Sequence, residues 1–443
     1  MKFKVFSLPY NFDWRLLVLH IIYFALLLWI YTTHILDIYG YVHTEFKDAL
    51  NINKAIFAQF AITAAFALLR NNGLPSYLFL NIIIAFTLTP SLVIFSGSDL
   101  SFSFLAVTWI AFAILAMVAR FFRLCRIRAP QINATILLRW LAGLSLLLIA
   151  SIFAYGGGRF INFDLSRVGE FRYDAGGNLP RIFGYLIPSF AYAIYPLGIG
   201  LSFVCRQKLL IIVFIFCAVM GSALSSDRGT LFAPVAVIFI YWFSQHPKPS
   251  NLTLLALITV VVIGGLAFYL SQSGVGGIIG WFGSLAIYRS LFGPSLLNST
   301  YYDFFSLNPY NYWAGHKFTL DLFVGPYDLR IPNLIGLEVW GNAEMCANTG
   351  WIGSGMGQAG YFGVALYSVL IGLLLSLFDA YAKKLGYSIV AAAFLIHVLV
   401  ITTSIDFTVV FLNHGLLMLL LIVILLKPNL KHYKNSATMD NVR

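Results

Sequence analysis

The sequence predicts an all-α polytopic integral membrane protein, with about twelve transmembrane helices and a long outer loop that contains an interfacial helix. Three observations predict it. At 60% hydrophobic and 10% charged, with a mean hydropathy of +0.85, a chain of 443 residues lacks the polar surface that water demands. The apolar residues gather in runs near the length that crosses a hydrocarbon core of about 30 Å. The basic residues sort to one side of those runs, as the positive-inside rule requires.

In chain order the apolar runs are Trp14 to Leu36, Ala55 to Leu69, Tyr77 to Phe95, Phe104 to Phe121, Ile136 to Ala154 and Ile182 to Val204. Then come Leu209 to Leu224, Leu231 to Phe243, Leu252 to Leu270, Tyr361 to Phe378, Ile389 to Thr403 and Thr408 to Leu426. No small-residue cleavage site follows Leu16 to Ile30, so the first run is expected to be a retained anchor. Residues 1–443 are expected to form a single membrane domain, with a first outer loop at 155–181 and a large outer loop at 271–349.

Charge sets the orientation. With both termini in the cytoplasm, 18 of the 28 Lys and Arg residues and only Asp13, Asp379 and Asp440 among the acids lie inside, leaving a net +15 there and −4 outside. The basic balance is therefore a topology signal. It is divided among short turns, whereas nucleic-acid binding needs a continuous positive stripe, so nucleic acid is excluded as a partner. Cys346 is the lone cysteine on the outer side, so no disulfide framework braces the loops.

The first outer loop carries Arg159, Arg167, Arg172 and Arg181 on the side that the positive-inside rule empties. Guanidinium groups match phosphate or carboxylate in a planar fork, so this cluster points to an anionic ligand, although Arg167 with Glu170 or Arg172 with Asp174 could also pair within a solvated loop. The link Ser225, Ser226, Asp227, Arg228, Gly229, Thr230 follows a run of 16 residues, about 24 Å long. That is short of the hydrocarbon thickness, so the link is expected to dip below the outer surface. Arg228 there would face a polar cavity or an anionic partner, a phosphate near the lipid boundary for example, or would pair with Asp227 or snorkel to the interface.

In the long stretch, Gly277 to Leu297 reads as a helix in the interface plane. Trp281, Phe282, Ile287, Leu291 and Phe292 would enter the headgroup boundary, Arg289 would sit at the water–lipid interface, and Pro294 would end or kink the helix. From Asn298 to Trp340 the segment reads as aromatic and loop-rich. Its aromatic rings, Tyr302 and Trp313 among them, could stack on sugar faces or simply occupy the membrane interface, where such residues concentrate.

The Arg-rich loop, the Ser225 to Gly229 turn, the element Tyr288-Arg-Ser-Leu-Phe-Gly-Pro294 leading to Tyr301-Tyr-Asp-Phe-Phe305, and Ala347-Asn-Thr-Gly350 followed by Gly360-Tyr-Phe-Gly363 together resemble the Wzy-type O-antigen polymerases, or oligosaccharide repeat unit polymerases. The resemblance covers roughly Arg167 to Asp379. Arg330 and Gly341 fit the R-x10-G spacing of outer loops in that family, and Arg172 with Gly184 misses it by one.

The resemblance implies a metal-independent glycosyltransferase without cofactor at the periplasmic face of the bacterial inner membrane. It would join undecaprenyl-diphosphate-linked oligosaccharide repeat units into O-antigen or a related surface polysaccharide. Its partners would be the lipid-linked glycan donor and acceptor, the bilayer, and a chain-length regulator protein. Arg228, Arg289 and one of Arg172 or Arg181 would stabilise the diphosphate leaving group, with Arg167, Arg330, Tyr302 and Trp313 as further substrate-binding candidates. His316, Glu344 and Asp303 are the candidates for the base that takes the acceptor's proton. HExxH, paired Cys ligands and Asp-x-Asp are absent from the sequence, so no metal site is expected. Two alternatives stand beside this: a flippase or transporter of lipid-linked oligosaccharide, with Asp406, Gln59 and His20 as coupling candidates, and an O-antigen ligase.

Overall fold

The computed structural model describes residues 12–40, 50–69, 71–122, 131–161, 178–225, 228–274, 277–319 and 322–427. Among these there is no strand, only an isolated bridge between Ile132 and Leu426. The helices are α1 (Trp14–Tyr39), α2 (Ile52–Leu68), α3 (Pro75–Gly97), α4 (Phe102–Phe121), α5 (Ala134–Ala154), α6 (Phe183–Val204), α7 (Lys208–Ser225) and α8 (Arg228–Phe243). They continue with α9 (Pro249–Gln272), α10 (278–307), α11 (Ile331–Trp340), α12 (Trp351–Leu385), α13 (Tyr387–Thr403), α14 (Phe407–Asn413) and α15 (Leu416–Leu425).

Each of the twelve apolar runs holds a helix. Seven (α1, α3, α4, α5, α6, α9 and α12) are long and apolar enough to cross a membrane, and the bent pair α14 and α15 makes an eighth candidate. The remaining four runs form shorter apolar helices. Large exposed apolar side chains such as Phe60, Trp140, Leu209 and Leu266 suit a surface solvated by lipid. The chain is thus a membrane-embedded helical protein. α7 has 18 residues, about 27 Å, so it falls less far short of the bilayer core than its apolar run suggested.

The chain forms two compact units. The first comprises Met1–Arg123, Ser250–Ser376 and Leu399–Phe407; the second comprises Leu124–Pro249, Leu377–Val398 and Thr408–Arg443.

In the first unit α3 is the central helix. It is apolar all round and almost wholly buried, as such a helix must be, with α1, α2, α4 and α10 packed about it. Two of its polar groups tie it to neighbouring elements: Asn81 Oδ1 meets His20 Nε2 at 3.2 Å, and Thr87 Oγ1 donates to the Thr402 carbonyl at 3.0 Å. In the second unit α6 occupies the centre, against α5, α7 and α8. There Lys384 Nζ donates to the Ile424 carbonyl at 2.7 Å, and His397 Nε2 meets the His414 carbonyl at 3.0 Å.

Several helices widen into π-turns beside proline. Ile84–Leu88 precedes Pro90, Phe190–Ile194 lies between Pro188 and Pro196, and Ser284–Phe292 precedes Pro294. Proline offers no N–H and crowds the carbonyl four residues back, and a wider turn relieves both while the helix continues. Of the two outcomes expected at Pro294, an end or a kink, the end does not occur; the helix runs on through Gly293–Leu307.

The π-turn also corrects the interfacial helix. Ile287, Leu291 and Phe292 are fully buried inside the protein rather than facing headgroups. A Cβ on Gly264 of α9 would lie 2.9 Å from the Ile287 side chain, and Tyr288 stacks on Tyr39 of α1 at 3.9 Å between ring centres. The apolar face that the sequence shows is real, but α1 and α9 cover it. Ile278 and Arg289 remain exposed, and Trp281 is half-buried.

Candidate functional site

The site begins with a break in a helix. At Ala359 (φ −153°, ψ 31°) and Gly360 (φ 59°, ψ −141°) the backbone of α12 leaves helical geometry, so the element is two arms, 351–358 and 361–385. The short arm folds back along the long one. Trp351 Nε1 donates to Ser368 Oγ at 3.0 Å, and a Cβ on Gly355 would lie 2.7 Å from the Val364 nitrogen. Only glycine permits backbones to approach this closely, which is why Gly355 faces Gly363. The tip needs glycine for a second reason: Gly360 has positive φ, and a Cβ there would lie 2.6 Å from the Tyr310 ring.

A break leaves the last carbonyls of the short arm without their helical partners. The loop that follows α10 supplies them. Asn311 N–H donates to the Gly357 carbonyl at 3.0 Å, and Tyr312 N–H donates to the Gln358 carbonyl at 2.8 Å. To reach them, Tyr312 (φ 50°) and Trp313 (φ 59°) adopt the left-handed conformation, which costs a bulky residue about 1–3 kcal/mol. The interactions that hold this loop must outweigh that strain.

They form a polar chain through the first unit. Trp313 N–H donates to Gln358 Oε1 at 2.8 Å, and Gln358 Nε2 meets His316 Nε2 at 2.8 Å. Trp313 Nε1 donates to the Tyr367 hydroxyl at 2.7 Å, and that hydroxyl donates to Asp406 Oδ2 at 2.9 Å. Gln358 and Tyr367 are buried, while His316, Trp313 and Asp406 are half-buried. Burial holds the His316 imidazole below its ordinary value of 6.5, and the charge of Asp406 pulls the other way. Thr319 Oγ1 donates to the His316 carbonyl at 2.6 Å, which closes the turn beneath the imidazole.

The candidates named from sequence are distributed unevenly. His316 and Trp313 belong to this chain of contacts. Tyr302 is buried on α10 and donates to Ser103 Oγ at 2.8 Å; burial pushes its phenol up, but hydroxyl partners led by Ser103 and Tyr361 outweigh it, so it titrates below the ordinary tyrosine value. Asp303 and Glu344 are exposed, one on α10 and the other in the turn after α11, and Arg289 is exposed on the π-turn.

Arg330 is the N-cap of α11, and Gly341, at φ 65°, is its C-cap. The R-x10-G spacing therefore marks the two ends of one ten-residue helix. In the second unit Arg181 is exposed in the turn before α6, and Arg228 opens α8. Arg167, Arg172 and the Arg228 side chain lie outside the described residues.

Sequence reasoning missed Gln358 and Tyr367, and it weighed Asp406 only as a transport residue. The available signal was the run Gly353, Gly355, Gly357, Gly360, Gly363, too dense in glycine for an ordinary apolar helix. Among the described residues no group of three or more His, Cys, Asp or Glu side chains could hold a metal ion. No protein-family model, curated protein or solved structure matches this chain.

Proposed function

We propose that this protein polymerises undecaprenyl-diphosphate-linked oligosaccharide repeat units at the periplasmic face of a bacterial inner membrane. Twelve crossings with cytoplasmic termini would put residues 271–349 outside, where the flipped lipid-linked glycan is available. The observation that carries the reading is the aromatic loop 309–319, clamped to the break in α12 by a buried polar network with His316 at its edge. A rigid aromatic and polar surface joined to a membrane helix suits a ligand that is part sugar and part lipid.

In this reading Arg289, exposed on the π-turn of α10, offsets the charge that develops on the diphosphate leaving group. His316, Asp303 and Glu344 are the groups available to the acceptor hydroxyl, and Tyr302 and Trp313 contribute to the glycan surface. The engagement of Asp406 by Tyr367 favours this over transport, because it gives the carboxylate a role in holding the loop.

Deletion of the gene in its host tests the reading. The expected result is surface lipid carrying single repeat units. Complete loss of attached glycan would instead indicate the ligase or the flippase.

A further inference from the structure

Beside the break in α12 a row of hydroxyl groups runs from the interior of the first unit to its surface. Tyr302 on α10 is 6% exposed, and its one hydroxyl proton goes to Ser103 Oγ at 2.8 Å. Ser103 Oγ lies in turn 2.6 Å from Ser101 Oγ. With its proton spent, the Tyr302 oxygen only accepts from its other hydroxyl neighbours, and Tyr361, the first residue of the long arm of α12, is one of them. The row therefore reads Tyr361, Tyr302, Ser103, Ser101. Hydroxyls linked in series polarise one another, which strengthens the contacts made at the ends of the row.

Both ends are open. Ser101 and Ser103 are exposed, and Tyr361 is 57% exposed. Ser101 is the N-cap of α4, yet its side chain caps no N–H there and is turned to Ser103 instead. Tyr361 owes its place to the break: Gly360, at φ 59°, redirects the chain just before it, and the Tyr310 ring packs where a Cβ on Gly360 would stand. A tyrosine at a membrane interface ordinarily shows its hydroxyl to water. Here the Tyr361 hydroxyl is directed at buried Tyr302, so the surface that Tyr361 leaves outside is largely its ring.

We propose that this row and the Tyr361 ring form a saccharide subsite, in which one uncharged sugar of the lipid-linked glycan stacks a C–H face on Tyr361 and shares hydrogen bonds with Ser101 and Ser103. The subsite is argued from the hydroxyls and the ring; that its sugar belongs to a lipid-linked glycan rests on the function proposed above. A sugar presents both surfaces at once, an apolar C–H face and a rim of hydroxyls that donate and accept. Serine hydroxyls match that rim without charge. A phosphate would instead call for cationic partners, and the row supplies none.

The test is saturation-transfer NMR of the full chain in lipid nanodiscs, with the repeat-unit oligosaccharide released from its carrier by mild acid as the probe. Saturation of the protein should pass most strongly to the C–H protons of a single sugar. Tyr361→Ala should remove that transfer and weaken binding roughly tenfold, whereas Tyr361→Phe keeps the ring and should keep the transfer. Ser101→Ala should weaken binding without moving thermal unfolding, because the side chain is exposed and caps nothing. No binding by the unmodified protein, or transfer and affinity unchanged in Tyr361→Ala, overturns the subsite. Polymer made from lipid-linked repeats is the separate readout of the function. If the unmodified protein makes none but binds the oligosaccharide with these losses, the proposed function fails and the subsite stands; if it makes polymer while Tyr361→Ala binds as before, the function stands and the subsite fails.

Discussion

The main-chain N–H of Tyr312 donates to the carbonyl of Gln358 at 2.8 Å, and it does so from a left-handed backbone conformation that tyrosine seldom adopts. Two imperfections therefore complete each other: a helix that lost a partner at Gln358, and a loop that turned against its steric preference. Neither would be stable alone. From this pairing, and from the network around it, specific outcomes follow.

Gly363→Ala should be destabilising, because its methyl group would meet the Gly355 carbonyl and force the two arms of α12 apart. Overpacking of this kind costs about 1–3 kcal/mol. Thermal unfolding of the detergent-solubilised protein measures it. Gly143→Ala is the control: nothing lies within 4 Å of its Cβ position on α5, and it should be neutral or slightly stabilising.

Tyr367→Phe removes one oxygen that both accepts from Trp313 Nε1 and donates to Asp406. The stranded indole N–H should cost about 1–3 kcal/mol. The same variant should make residues 308–319 more open to protease. Unchanged cleavage would mean that the hydroxyl does not hold the loop.

Acidification should loosen the same loop. The folded His316 binds its proton below 6.5, so as pH falls through 6.5 the unfolded chain takes up a proton before the folded one does. The unfolded state then binds more protons, and stability rises with pH. The contribution is complete above 6.5 and declines below it. Unfolding compared at neutral and mildly acid pH should show a loss that His316→Asn reduces.

Arg289→Ala separates function from folding. The side chain is exposed, so stability should change by less than about 0.5 kcal/mol. If Arg289 offsets charge on the leaving group, polymer length should nevertheless fall sharply. Polymer of normal length would remove it from the site.

Asn298 Oδ1 accepts from Thr349 Oγ1 at 2.9 Å and from Gly353 N–H at 3.0 Å, and so caps the start of α12. Asn298→Ala should cost about 0.5–2 kcal/mol, as loss of a cap does. A thermal unfolding transition unshifted from that of the unmodified protein would show that the cap contributes little.

Much of this fold could be read from hydropathy, because a membrane imposes its thickness on every crossing element. The run beginning at Tyr361 was legible to the residue, since the long arm of α12 starts there. The burial of Ile287, Leu291 and Phe292 was not legible. An apolar helical face looks the same whether lipid or another helix covers it, and only tertiary packing against α1 and α9 decides between them.

At the site, His316 and Trp313 stood out as polar and aromatic residues in a loop. Gln358 and Tyr367 did not, because a polar side chain inside a helix has meaning only once its partner is known. The helix Ile331–Trp340 between Arg330 and Gly341 was not legible, since the turn markers of Asn298 to Trp340 read as loop.

The doubled-back arm 351–358 has a bearing on topology. An element that enters and returns contributes an even number to any tally of crossings, so it leaves the parity between the two termini unchanged. Hydropathy applied to the unbroken span of 35 residues would imply a helix of about 52 Å, too long for any bilayer. Two residues, Ala359 and Gly360, convert that surplus length into a fold-back, which offers the loop two backbone carbonyls without altering which side either end of the chain occupies.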